Sequence, residues 1–444
     1  MAPSAPSHAR AIWAIAIPAM ATNVATALLG IADIWVIGQL GDAAAQGAVE
    51  LGARLLMGLF VVFNFLKSAT TGLTAQAVGQ RDEAGRLAAL IRAAAIALAI
   101  GLAMMAVKPW IVPLGLDFLE AGPQVRPDAL LYVDIRFWVM PLWLVNLAMI
   151  GWLIGLRRLR TVLVVEVIIN LLHIGLNVLL VLVFEYGVAG VAIATVIGEA
   201  VKFGLLVAVL FPSARPSALV AAVRHSETWQ AAPMLSLFRV NRDLFLRTLL
   251  LTIAIMLVTR QGAQQGAVIL AANAILFQLF MFSALLLDGF ENAAQVLCGE
   301  RIGERNKAAF DRDTRAILIR GVAVALALCA LFAVAGDPIV GSFSTDAAVT
   351  AAAQRYDIWL IAIPIAGVVS FVYDGVFVGA TWTRAMLGTM VAAFALYIAL
   401  LWLTAPLGNH GIWLSFTIFL IARAAGQALL VPRLARRSFE AAPV

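Results

Sequence analysis

The chain has little charge and almost no cysteine, and both shortages restrict what it can be. Asp, Glu, Lys and Arg together make up 13% of its 444 residues, whereas hydrophobic residues make up 63%. A soluble domain of this length could not cover its surface with so few polar side chains, so lipid must surround much of the chain. We interpret its two cysteines, Cys298 and Cys329, as small apolar packing residues and not as a disulfide.

Motifs for enzymatic chemistry are also missing. The sequence has no Walker motif for ATP, no His/Cys spacing typical of a metal site and no nucleophile elbow. We therefore expect no enzyme activity, no cofactor and no metal. The net charge of +6 comes from basic residues in short loops between apolar stretches and not from one continuous basic face. That pattern is a membrane-topology signal, so we expect no nucleic-acid partner.

Long apolar stretches are abundant, and about twelve can be placed. Each is long enough to cross roughly 30 Å of hydrocarbon as a helix. They lie near residues 12–38, 47–77, 87–112, 129–156, 161–184 and 188–211, and then near 239–261, 266–297, 315–336, 352–380, 384–405 and 411–432. This pattern predicts an all-α integral membrane protein with an N-terminal six-helix lobe (1–211), a cytoplasmic linker (212–238) and a C-terminal six-helix lobe (239–444).

The two lobes resemble each other in sequence at a nearly fixed offset. Gly151 and Gly155 in the fourth stretch match Gly375 and Gly379 in the tenth, at an offset of about 220 residues. Because each copy holds an even number of spans, both copies have the same orientation in the membrane. We therefore predict a pseudo-symmetric parallel repeat around a central cleft that opens alternately to either side.

Basic residues cluster in alternate loops, and this sets the expected orientation. One set of loops holds most of them, among them Arg158 and Arg215, whereas the other set holds little beyond Lys108, Arg126 and Arg260. Loops rich in Lys and Arg usually stay in the cytoplasm. We therefore expect both termini to be cytoplasmic.

Asp33 is the most informative single residue, because it lies in an otherwise almost entirely apolar stretch from Ile12 to Leu40. A carboxyl group at membrane depth loses favourable hydration, so it tends to face a water-filled cavity and to take up a proton or an ion. Pro18 in the same stretch removes a backbone hydrogen bond and permits the helix to bend. Such a bend would move Asp33.

Three polar residues of the fifth stretch belong with Asp33. Asn170, His173 and Asn177 are three and four residues apart, so they share one face of a helix, and Asn177 lies at about the depth of Asp33. A carboxylate beside amides and an imidazole could bind a proton, or could bind Na⁺ through oxygen atoms. Intramembrane Asn and His residues can also simply join helices, and this alternative stays open.

The second half of the chain has buried acidic residues of its own. Asp288 and Glu291 in the eighth stretch and Asp374 in the tenth lie at similar depth, so they could share one network with Lys67 or with the Arg242/Arg247 pair. Such a network could gate the cytoplasmic side or could be neutralised packing. The candidate substrate or gating residues are Asp288, Glu291, Asp374, Lys67 and Asn273.

Two further charge pairs, Asp134 with Arg136 and Glu199 with Lys202, have partners close in sequence. We interpret both pairs as structural. The pairs lie inside apolar stretches, where a charged side chain usually neutralises a neighbour.

Short runs spread over about residues 12–432 resemble one known family. They are Gly30-Ile31-Ala32-Asp33, Thr70-Thr71-Gly72, Asn241-Arg242-Asp243, Ala272-Asn273-Ala274, Leu287-Asp288-Gly289-Phe290, Asp374-Gly375 and Leu407-Gly408-Asn409-His410. In these runs the chain resembles the multidrug and toxic compound extrusion (MATE) family, and specifically its DinF branch. The resemblance implies twelve helices in two lobes and export of lipophilic, often cationic, compounds in exchange for H⁺ or Na⁺.

The resemblance also assigns roles to residues. It places the coupling carboxylate at Asp33. Many family members have Asn in the fifth helix, followed four residues later by Asp or Asn, whereas this chain has His173 and Asn177 at those places. The missing second carboxylate disfavours Na⁺, which prefers several oxygen ligands. A proton on Asp33, relayed by His173, is the preferred interpretation.

We therefore expect a monomeric secondary-active antiporter in a bacterial inner membrane, surrounded by lipid and acting on small lipophilic or cationic substrates. A flippase for lipid-linked intermediates is an alternative, but it would need several cationic residues in the cleft, and the charges at membrane depth are largely acidic. A non-transporting scaffold is another, although it would not need an internal repeat. An integral-membrane enzyme would need clustered nucleophiles, bases or metal ligands, which the sequence does not offer.

Overall fold

The computed structural model describes residues 8–119, 121–212 and 216–440, so Arg215 and part of the predicted linker lie outside the described residues. The first half contains α1 (His8–Gly38), α2 (Ala43–Phe60), α3 (Phe65–Gly79), α4 (Glu83–Phe118), α5 (Arg126–Phe137), α6 (Met140–Gly155), α7 (Leu159–Asn177), α8 (Gly187–Leu210) and α9 (Pro216–Arg224). The second half contains α10 (Ala231–Gln264), α11 (Ala267–Gly303), α12 (Lys307–Gly341), α13 (Ala347–Arg355), α14 (Asp357–Gly379), α15 (Thr383–Leu403) and α16 (Asn409–Glu440). Short 3₁₀ and π-helical turns connect some of them, and no strand occurs among the described residues.

The apolar helices match the predicted spans. Among the described residues, nine helices or runs of consecutive helices are long and apolar enough to cross a membrane. A tenth span forms if α5 and α6, which meet at a 51° bend, are counted together. Helices α1 and α10, of 31 and 34 residues, coincide with the first and seventh predicted spans. Every predicted span therefore has a helix, and the expected all-α membrane fold is confirmed.

The helices pack into two compact units. The first, which we call the Asp33 unit, comprises Ala21–Ala77 and Arg81–Phe238. The second, the Asp374 unit, comprises Val78–Gln80, the described residues from Arg239 onward and the described residues up to Met20. Helix α1 therefore contributes to both units, whereas the predicted division assigned all of α1 to the N-terminal lobe. The lobes 1–211 and 239–444 and the linker 212–238 stay a prediction.

Glycine residues bring helices close together in the Asp33 unit. A Cβ atom at Gly151 of α6 would overlap the backbone carbonyl of Lys67, and one at Gly155 would crowd the carbonyl of Thr71. The hydroxyl of Thr71 donates to the carbonyl of Gly151 at 3.0 Å. Small residues that let helix backbones touch are typical of helix packing in membranes. They fix α6 against α3, and α6 also packs on α4, α7 and α8.

The Asp374 unit repeats this arrangement. A Cβ atom at Gly375 of α14 would overlap the carbonyl of Glu291, and one at Gly379 would overlap the carbonyl of Gln295. Both glycines and both carbonyls lie 224 residues after their counterparts in the Asp33 unit, so Glu291 occupies the place of Lys67. The predicted pseudo-symmetric repeat is thus confirmed at the level of individual contacts. This close approach of α14 to α11 is also what buries Asp374.

Candidate ion-coupling site

Asp33 lies in the second half of α1, where two side chains of α7 contact the same carboxylate oxygen. The Nδ2 atom of Asn177 donates to Oδ1 of Asp33 at 2.6 Å, and Nε2 of His173 lies 2.7 Å from the same oxygen. The Asp33 side chain is 14% exposed and that of His173 7%. Asn177 is fully buried. The structure thus brings Asp33, His173 and Asn177 together.

The fourth predicted residue, Asn170, contacts α1 further along. Its Nδ2 atom donates to the backbone carbonyl of Ala25 at 2.9 Å, so it holds α7 against α1 and does not touch Asp33 directly. Its own Oδ1 atom is buried and has no hydrogen-bond partner within the described part of the chain, and the same is true of Oδ1 of Asn177. Buried amide oxygens are usually satisfied, so these two atoms are available to a further donor.

The polar face of α7 extends beyond the three residues that were predicted from the sequence. Glu166, Asn170, His173 and Asn177 follow each other at helical spacing, and all four are buried. The helix changes to a π-helical segment, Val178–Val183, directly after Asn177. Such segments are rare and are frequent at functional sites. The contacts with Asp33 therefore lie where the backbone of α7 departs from regular geometry.

Arg136 carries a permanent positive charge near Asp33, but it does not pair with it. The guanidinium of Arg136 on α5 is close enough for the charges of Asp33 and Glu199 to act on it, yet it donates to the hydroxyl of Tyr132. No ion pair joins Arg136 to a carboxylate in the described ranges. Asp33 is thus held directly by an imidazole and an amide, and its charge can change without breaking a permanent ion pair.

The groups that contact Asp33 are hydrogen-bond donors or can hold a proton. Both direct neighbours of Asp33 Oδ1 are nitrogen atoms, which donate hydrogen bonds to a carboxylate or share a proton with it. Sodium prefers a shell of oxygen ligands, and the amide of Asn177 adds no negative charge beside Asp33. His173 itself can carry a proton, because both nitrogen atoms of an imidazole can be protonated.

Asp374 has a different set of partners in the other unit. Its Oδ2 atom accepts from both Arg247 and Arg423, the latter at 2.6 Å, and its Oδ1 atom accepts from Gln427 at 2.7 Å. Asp374 and Arg423 are 1% and 5% exposed. Of the Arg242/Arg247 pair suggested by the sequence, only Arg247 contacts Asp374, because Arg242 pairs with Asp243 at 2.7 Å. Arg423 and Gln427 were not predicted. The available signal was an arginine inside the apolar stretch 411–432 with a glutamine four residues later.

The remaining candidates fall into separate places. Glu291 acts electrostatically on Arg423, so it belongs to the Asp374 network, and Asp288 lies three residues earlier on the same helix and is half-buried. Lys67 belongs to the Asp33 unit. Asn273 forms a reciprocal amide pair with Asn409 at 2.8 and 2.9 Å and accepts from Trp413 at 2.9 Å. It lies 18 residues, or about 27 Å of helix, from Glu291, so it joins α11 to α16 far from that network.

Comparison with known proteins agrees with this architecture. The MatE family model matches residues 18–179 and 244–403, two segments that begin 226 residues apart. DNA damage-inducible protein F of Escherichia coli (strain K12) is 34% identical over 427 residues, which cover 96% of this chain and 92% of that protein. A probable multidrug resistance protein NorM of Rhizobium meliloti is 24% identical over 347 residues, covering 76% and 73%.

Solved structures show the same fold. A MATE crystal structure in a bent conformation has a TM-score of 0.87 at 19% identity and covers 97% of both chains. An outward-facing multidrug resistance MATE transporter has a TM-score of 0.85 at 19% identity and covers 96% of both chains. The expectation of a membrane transporter and not an enzyme is confirmed. With the family model and a relative of 34% identity matching most of its length, the chain belongs to the MatE family of membrane transporters.

Proposed function

We propose that this protein is a proton-coupled exporter of small lipophilic or cationic compounds. The observation that supports it most directly is the contact of Asp33 with His173 and Asn177. The largely buried carboxylate of Asp33 accepts a hydrogen bond from the amide of Asn177 and can share a proton with the imidazole of His173. Relatives named for multidrug resistance support the substrate class. The positive-inside distribution of basic residues supports an inner-membrane protein with both termini in the cytoplasm. In this proposal the protein acts as a monomer.

The proposed cycle turns on the charge of Asp33. A proton arriving from the outer side forms an O–H bond on Asp33, and the carboxylate loses its negative charge. The neutral acid accepts less strongly from Asn177 and no longer attracts a cationic substrate, so the substrate leaves and α1 is free to bend near Pro18. Loss of that proton toward the cytoplasm restores the charge and the contacts with α7.

The substrate and the proton compete for the same charge in this scheme. A deprotonated Asp33 favours a cation or a polar group, whereas a protonated Asp33 does not. Coupling requires only that each conformation binds the proton and the substrate with different affinity. The cleft that would hold the substrate opens alternately to the two sides of the membrane.

The experiment is efflux of a cationic dye from proteoliposomes, with a pH gradient and a Na⁺ gradient imposed separately. We expect the pH gradient alone to drive transport by the unchanged protein. Asp33→Asn keeps the size of the side chain but cannot lose a proton, so it should abolish pH-driven efflux while the protein still inserts and folds.

Asp134→Asn serves as the matched control. Asp134 belongs to the same unit as Asp33, but it pairs with Lys108 at 3.0 Å and its side chain is 44% exposed. The Asp134→Asn variant therefore loses a carboxylate that does not contact Asp33, and it should transport normally. Full pH-driven efflux by Asp33→Asn would refute the proposal. Efflux driven only by the Na⁺ gradient would replace the proton by sodium. No ion-driven flux at all would favour a scaffold.

A further inference from the structure

A second buried charge cluster lies on the same face of α7 as the contacts with Asp33. The Nζ atom of Lys202 is 3.2 Å from Oε2 of Glu166 and 3.1 Å from Oε1 of Glu199. The Nδ2 atom of Asn146 donates to Oε2 of Glu199 at 2.9 Å. Glu166, Lys202 and Asn146 are buried, and the Glu199 side chain is 13% exposed. We call Glu166, Lys202 and Glu199 the Glu166–Lys202–Glu199 triad.

The triad carries more negative than positive charge when all three groups are ionised. Two carboxylates face one ammonium, and a buried charge without a partner is costly. One proton on either carboxylate makes the triad neutral, and Lys202 still pairs with the other. An ion pair with a purely structural role would need only one carboxylate. The second carboxylate is therefore a group that can bind a proton while Lys202 stays paired.

The charged and titratable groups around the triad do not remove this excess. On α5, the guanidinium of Arg136 interacts electrostatically with Glu199 and Asp33, and it donates a hydrogen bond to the hydroxyl of Tyr132. Glu50 of α2 interacts electrostatically with Tyr132, but its charge is balanced by Arg54 on the same helix. Helix α6 offers only Asn146, because Met140–Gly155 contains no titratable residue. Taken together, Asp33, Glu166 and Glu199 face Lys202 and Arg136, so three carboxylates share two permanent cations and one proton balances the set.

His173 lies between Asp33 and α8, the helix that carries Glu199 and Lys202 of the triad. Its Nε2 atom faces Asp33, whereas its Nδ1 atom faces Gly198 of α8, where an added Cβ atom would lie 3.7 Å away. Gly198 directly precedes Glu199. Along α7, Glu166 is seven residues from His173, which is about 10 Å of helix, and Asn170 lies between them with its free Oδ1 atom. An imidazole with one nitrogen on each side can pass a proton through.

We propose that the Glu166–Lys202–Glu199 triad is a second proton-binding site, which takes the proton from Asp33 through His173 and releases it to the cytoplasm. This inference rests on the proposed function. The O–H bond of Asp33 breaks as N–H forms at Nε2 of His173. The N–H bond at Nδ1 then breaks as a water molecule between His173 and the triad takes that proton, and the water passes a proton on, so that O–H forms on a triad carboxylate. The proton then leaves to cytoplasmic water, and the ion pair of Lys202 with both carboxylates returns.

The test replaces one triad carboxylate at a time. In Glu166→Gln and in Glu199→Gln the remaining carboxylate still pairs with Lys202, so the fold should survive, but the triad is already neutral and no longer needs a proton. We expect pH-driven dye efflux to fall by about tenfold or more, a size typical of losing a proton-transfer group. Exchange of labelled for unlabelled substrate, with no pH gradient, should remain at the level of the unchanged protein.

Three further arms separate the outcomes. Glu166→Asp keeps a proton-carrying group and should recover part of the pH-driven rate, which a loss of packing would not allow. Asp134→Asn again controls for removal of a paired carboxylate. Efflux equal to the unchanged protein in both glutamine variants, or an equal loss of efflux and of exchange, would overturn the inference. Failure of the proposed function shows separately, as full pH-driven efflux in Asp33→Asn.

Discussion

Asp33 and Asp374 are both aspartates inside apolar helices, one in each unit, and their partners differ in kind. Asp33 is held by an imidazole and an amide, whereas Asp374 is held by two guanidinium groups and an amide. A guanidinium stays charged at any pH a cell meets. Protonating Asp374 would remove the carboxylate that pairs with both Arg423 and Arg247, whereas protonating Asp33 breaks no permanent ion pair. Burial alone therefore does not identify a coupling residue; the nature of its partners does.

The same contrast separates stability from transport. The Asp374 network ties α10, α14 and α16 together through one carboxylate, as expected of a fixed structural centre. Asp33 ties α1 to α7 through contacts that weaken when it gains a proton. The predictions below test whether the two aspartates really divide in this way.

The largest effect on stability is expected from Asp374→Asn. The variant leaves Arg423 and Arg247 without their carboxylate, and breaking a buried ion pair from one side costs about 3–5 kcal/mol. Thermal unfolding of the purified protein in detergent measures the loss. Asp33→Asn is the comparison variant and should unfold close to the unchanged protein. An Asp374→Asn protein as stable as Asp33→Asn would remove the distinction between the two sites.

A smaller and equal loss is expected from Gly151→Ala and Gly375→Ala. The new methyl group meets the carbonyl of Lys67 in one case and that of Glu291 in the other, and overpacking of this kind costs about 1–3 kcal/mol. Gly388→Ala, where nothing lies within 4 Å of the added atom, is the control and should not lower the unfolding temperature. Very different losses of stability in the two glycine variants would show that the repeated helix contact is not equally close-packed in both units.

The sequence predicted the repeat and the Asp33 site better than the Asp374 network. Helical spacing placed Asn170, His173 and Asn177 on one face, and depth in the membrane placed that face beside Asp33. Both signals are properties of single helices, so they can be read without knowing how helices pack. Glu166 follows the same spacing, but it lies 11 residues before Asn177 and so at a different depth from Asp33, which is why depth did not group it with the other three.

Contacts between helices distant in sequence could not be read in this way. The two side chains of α16 that hold Asp374, Arg423 and Gln427, are 49 and 53 residues away from it. Their helix is apolar on several faces, so spacing alone does not say which one meets α14. The pairing of Asn273 with Asn409, 136 residues away, could not be read from spacing along a helix either.

The smallest change in stability, with a clear change in transport, is expected from His173→Asn. Asparagine keeps a donor that can reach Asp33, so the unfolding temperature should stay close to that of the unchanged protein. It cannot carry a proton, so pH-driven efflux should slow by about tenfold or more and lose the part of its pH profile that depends on the imidazole. Asp33 and the triad both remain in this variant, which makes the relay the only proposed step removed. Efflux at the full rate with an unchanged pH profile would assign His173 to helix packing and would leave Asp33 to exchange its proton directly with water.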